Sequence, residues 1–161
     1  MTLLIECLAI IIVFTIIVIP VALINPKYII GDYPPKIIEK CVELNIIPER
    51  KSKFTKKEII KKIIALILFI ILFSYIVYRF NGANTFIKGF VNAYIIWFSV
   101  CWYDALILDC ILFCNIKKFR IPGTEDMEEY KDYWFHIKGS IRGSLIGIPA
   151  CVLVGLLVMI F

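Results

Sequence analysis

Four side chains in this sequence stand where their chemistry is out of place: Asp104, Asp109, His136 and Arg142. The two aspartates interrupt the apolar run WYDALILDCILF, and the histidine and arginine flank the start of another, HIKGSIRGSLIGIP. A carboxylate deep in such a run costs about 3 kcal/mol to place in lipid, so it marks a functional site or a paired charge. Arg142 is the natural counterion for Asp109. His136, the sole histidine, follows Tyr133-Trp134-Phe135 and reads as an amphipathic anchor at the membrane surface. Asp104 has no basic residue at its depth, so it is expected to be protonated, hydrogen-bonded, or facing a hydrated cavity. Five residues separate Asp104 from Asp109, about 140° around an α-helix. On that spacing they do not share a face, and a paired-carboxylate catalytic dyad is disfavoured. The four residues predict a polar pocket, with Glu125 or Asp132 contributing, suited to a headgroup, a metal or a protonatable substrate. One histidine among scattered carboxylates is not a metal motif.

The elements that must position these groups are membrane helices. The 161 residues are 61% apolar and only 19% charged, with a mean hydropathy of +0.88. A soluble domain of this length keeps too much surface to hide that excess, which must therefore face lipid. A span needs about 20 apolar residues, and four such runs occur, near 2–24, 63–78, 89–113 and 141–161. They predict one all-α membrane domain, a small bundle of four transmembrane helices. The first run lacks a basic lead-in and a small-residue cleavage pattern, so it reads as a retained helix. The second is preceded by Thr55-Lys56-Lys57-Glu58, the spacing of a capping box. The helix of span four is expected to begin near Thr124, because Glu125, Asp126, Glu128 and Glu129 suit an N-terminal turn after Pro122-Gly123.

The charge distribution sets the expected orientation. Of eighteen basic residues, ten fall in 25–62 and six in 115–142, leaving Arg79 and Lys88 in the turn between spans two and three. The positive-inside rule then places both long loops, about 25–62 and 115–140, in the cytoplasm, with both termini outside a cell membrane. In the first loop Pro34-Pro35 opens a short amphipathic helix with Ile37, Ile38, Cys41 and Leu44 on one face, expected to lie at the headgroup level. The stripe Lys51, Lys53, Lys56, Lys57, Lys61 and Lys62 is placed to attract anionic lipid. It lacks any nucleic-acid reading module, so no nucleic-acid partner is expected.

Span four carries Gly139, Gly143, Gly147 and Gly155 in register every four or eight positions. A small-residue ridge of this kind lets helix backbones approach closely, within the chain or between copies. Five of six cysteines lie in apolar runs and read as small packing residues; Cys110 and Cys114 share a helical face but lack further ligands for a metal.

No nucleophile elbow, phosphate loop, zinc-protease motif or dinucleotide fingerprint is present, and no residue implies a cofactor. Two functional readings remain. The first is a transport, channel-like or accessory subunit, assembled as a homo-oligomer or in a larger membrane complex, with a polar site between spans three and four. The alternative is a compact membrane enzyme acting on a lipid or isoprenoid substrate at the inner leaflet through Asp109, His136 and Arg142.

Overall fold

The computed structural model describes residues 2–49 and 56–161, and every described element is helical. Helix α1 spans Thr2–Ile24, α2 Pro35–Glu43, α3 Lys56–Asn81, α4 Phe86–Tyr103 and α5 Tyr133–Leu157. Helix α4 continues without a break as a π-helix over Asp104–Phe113. Short 3-10 turns occupy Pro26–Asp32, Lys117–Phe119 and Glu128–Lys131. Four helices are long and apolar enough to cross a membrane: α1, Ile59–Asn81 of α3, α4 with its π extension, and α5. The chain has the architecture of a four-helix membrane bundle. Side chains such as Leu4, Ile12, Ile16, Ile67, Leu68 and Ile146 remain exposed on these helices, as lipid-facing positions must.

The chain divides into two compact units. One comprises the described residues of 1–10, 51–100 and 143–161. All four spanning helices contribute to its core, where Cys7, Phe73, Val77, Ala93, Ile96, Cys151, Val154 and Val158 pack together. Helix α3 ends at Gly82, whose φ of +59° turns the chain toward α4 at little steric cost.

The second unit comprises 11–50 and 101–142, and so holds both long connections. Asn25 ends α1 by accepting the Lys27 amide on its side chain at 3.0 Å, and Pro26 opens the 3-10 turn. Pro35 occupies the first turn of α2, where its missing N–H is no loss. Ile37 and Cys41 of α2 are fully buried, in a core with Ala22, Leu108, Phe113, Phe119, Ile121 and Tyr130. Ile37 and Cys41, from the apolar face expected to rest on headgroups, are thus covered within the protein, while Leu44 of that face stays exposed. Tyr33 donates its hydroxyl hydrogen to the Phe119 carbonyl and meets the Tyr130 ring edge-on at 5.4 Å. The Tyr130 hydroxyl in turn accepts the Ile121 amide at 2.9 Å and lies 2.8 Å from Thr124 Oγ1.

That use of Thr124 corrects one expectation. Its hydroxyl donates to the Ile121 carbonyl at 2.9 Å, closing a turn instead of opening a helix. Helix α5 starts at Tyr133, with Asp132 Oδ1 accepting the Phe135 amide at 3.0 Å. Thr55 of the expected capping box lies outside the described residues.

Candidate functional site

The site is built from a change of helical period. From Asp104 to Phe113 the backbone bonds run from residue i to i+5, as between the Cys114 amide and the Asp109 carbonyl at 2.9 Å. Such π segments are rare and are usually single turns near functional groups; this one extends over ten residues. Asn115 closes it, donating from Nδ2 to the carbonyls of Cys110 at 2.7 Å and Ile111 at 3.1 Å. In an i to i+5 ladder, Asp104 and Asp109 stand one turn apart along the same side of the helix. The 140° separation expected from α-helical spacing does not apply. Asp104 is half-buried in this segment.

Asp109 meets His136, which the cap at Asp132 places in the first turn of α5. His136 Nδ1 lies 3.0 Å from Asp109 Oδ2, and both side chains are buried. Donation from Nδ1–H to the carboxylate holds the imidazole in one tautomer and orientation. His136 is thus a member of a buried pair and not an interfacial anchor.

Arg142 does not join them. It is exposed and has no carboxylate within 4 Å among the described residues. Six positions beyond His136, it lies roughly 120° away around α5. The buried stripe of α5 runs through His136, Ser140, Ser144, Gly147 and Cys151. Ser140 extends the contact with α4 by donating to the Cys101 carbonyl at 2.9 Å. The expected Asp109–Arg142 pair is therefore replaced by Asp109–His136.

Asp32 is the member that sequence reasoning missed. It closes the 3-10 turn after α1, and its side chain reaches solvent. Crowding by protein atoms holds its carboxyl above the usual range, the negative charge of Asp109 adds to this, and His136 partly offsets it. In Gly31-Asp32-Tyr33-Pro34-Pro35 the residue reads as a turn former. The usable signal was its position just past span one, at the same end of the bundle as Asp109. Glu125 and Asp132 are spent locally: Glu125 Oε2 accepts the Gly123 amide at 2.7 Å, and Asp132 caps α5. Among the described residues, no three His, Cys, Asp or Glu side chains lie close enough to share a metal ion.

Comparison with protein families, curated proteins and solved structures finds no match to this chain.

The glycine ridge of α5 is partly taken up within the chain. A Cβ on Gly147 would lie 2.0 Å from Trp97 Nε1, and one on Gly155 would lie 2.9 Å from the Phe86 carbonyl oxygen. Trp97 Nε1 donates to the Gly143 carbonyl at 3.0 Å. Gly139 faces open space. Of the basic stripe, Lys56, Lys57, Lys61 and Lys62 are exposed on the first turns of α3; Lys51 and Lys53 lie outside the described residues.

Proposed function

We propose that this chain is a proton-handling membrane subunit of the transport or channel-like class. Its path runs from Asp104 within the span, through the Asp109–His136 pair, to Asp32 at the loop end. The observation that carries this reading is the buried contact of 3.0 Å between His136 Nδ1 and Asp109 Oδ2. Chains of Asp and His inside membrane spans are the usual material of proton relays, because each group binds and releases a proton within reach of the next. The positive-inside distribution supports a cytoplasmic mouth at Asp32, with both termini outside the cell membrane. A homo-oligomer or a larger membrane complex is compatible with this path, although Gly147 and Gly155 already have partners within the chain. The enzyme reading is weaker, because Arg142 stands apart from Asp109 and His136.

The test is proton flux into proteoliposomes carrying an internal pH dye under an imposed potassium diffusion potential. Wild type should acidify or alkalinise the lumen according to the sign of the potential. Asp104→Asn and Asp109→Asn should each reduce the rate to that of protein-free vesicles. Flux unchanged in both variants would overturn the reading.

A further inference from the structure

The loop unit contains a second polar feature, remote in chemistry from the Asp–His pair. A cavity of about 420 Å³ is lined by Arg120, Asp126, Met127, Glu128 and Lys131. Arg120 is only 9% exposed, yet no carboxylate lies within 4 Å of it among the described residues. Its guanidinium donates from Nη1 to the Glu125 carbonyl and from Nη2 to the Cys114 carbonyl, the latter at 3.2 Å. It also lies over the Tyr130 ring at 4.9 Å. These contacts fix its orientation but leave its charge without a counterion, an arrangement that burial disfavours.

The rest of the lining has mixed sign. Lys131 and Glu128 are exposed and make no ion pair among the described residues, while Asp126 is held by Lys117 at 3.0 Å. A simple anion would meet two carboxylates here, and a simple cation would meet Arg120 and Lys131. A ligand with both charges matches both halves. The charge of Arg120 and the N–H groups not spent on carbonyls suit a phosphate, and a primary ammonium suits Glu128 and Asp126. The volume lies within the ordinary range for small-molecule sites. The lining residues fall between Phe113 and Tyr133, on the connection that joins two spanning helices. A connection of this kind leaves the hydrocarbon at the level of the headgroups.

We propose that this cavity binds a zwitterionic phosphate ester of the phosphoethanolamine type, its phosphate on Arg120 and Lys131 and its ammonium on Glu128 and Asp126. The ester is either a lipid headgroup or a soluble molecule, and the test separates the two.

Arg120 also ties down two carbonyls, so the informative variants are Lys131→Gln and Glu128→Gln. The full chain in detergent micelles is titrated with O-phosphoethanolamine and with ethyl phosphate, which lacks the ammonium, and binding is followed by phosphorus NMR. Phosphoethanolamine should bind about fivefold or more tightly than ethyl phosphate. Glu128→Gln should erase that preference, and Lys131→Gln should weaken both ligands. In parallel, phospholipid retained through purification is analysed by mass spectrometry. Ethanolamine phospholipid enriched over the bulk membrane, and lost in both variants, assigns the lipid as the source; soluble binding without enrichment assigns the soluble ester. Absence of both binding and enrichment, or a preference indifferent to Glu128→Gln, overturns the proposal.

Discussion

His136 Nδ1 lies 3.0 Å from Asp109 Oδ2, joining the first turn of α5 to the π segment that continues α4. Neither side chain has an alternative in water, because both are buried. The pair therefore links two spanning helices through one buried contact. Asp109→Asn keeps an oxygen that can accept from Nδ1–H, whereas Asp109→Ala leaves the donor unmade. Asp109→Ala should lose about 1–3 kcal/mol of stability, and Asp109→Asn clearly less, in thermal or denaturant unfolding of the detergent-solubilised protein. Equal losses would show that the hydrogen bond does not hold the helices.

Asp32 supplies a pH dependence outside the spans. Its folded carboxyl lies above the ordinary value of 3.8, through crowding first and the charge of Asp109 second. The unfolded chain therefore releases this proton first as pH rises, so Asp32 opposes folding increasingly above its unfolded value and levels off once the folded group has ionised. Asp32→Asn removes the effect. The variant should match wild type near pH 3 on this account and become the more stable of the two as pH rises toward neutrality. The difference in Tm between the two proteins, followed across pH, cancels the contributions of groups that do not interact with Asp32. A constant or falling difference would contradict the assignment.

Close packing at Gly147 makes a third expectation specific. A methyl there meets the indole of Trp97 at 2.0 Å and disturbs its bond to the Gly143 carbonyl. Gly147→Ala should destabilise by about 1–3 kcal/mol, the usual range for overpacking. Gly139→Ala meets nothing within 4 Å and should be neutral or stabilising by up to about 1 kcal/mol, from the better helix propensity of alanine. Unfolding measurements on the pair separate ridge packing from a general effect of glycine replacement.

The spans were legible because a run of about 20 apolar residues has few other uses. Asp104, Asp109 and His136 were legible for the same reason, as polar groups breaking such runs. Their mutual arrangement was not. Nothing in DALILDCILF, which has neither glycine nor proline, marks a change from α to π period, so α-helical spacing set the two aspartates on different faces. Arg142 attracted the ion-pair reading through its charge alone, whereas the face it occupies on α5 is fixed by where Ser140 and Gly147 pack. Helix α2 shows the same limit. Its apolar face, with Ile37 and Cys41, is plain in the sequence, but whether lipid or protein covers it depends on Phe119, Ile121 and Tyr130, some eighty residues further along. Asp32 and Arg120 escaped notice because loop charges are common, and only long-range packing sets these two apart.

The most direct measurement of the account is the nitrogen NMR spectrum of the protein labelled with ¹⁵N-histidine in lipid nanodiscs, where His136 gives the only ring signals. The Nδ1 proton should be protected from exchange. Those signals should shift in Asp109→Asn and also in Asp104→Asn and Asp32→Asn, while Arg142→Gln leaves them in place. A freely exchanging imidazole whose signals ignore Asp109→Asn and Asp104→Asn would contradict it.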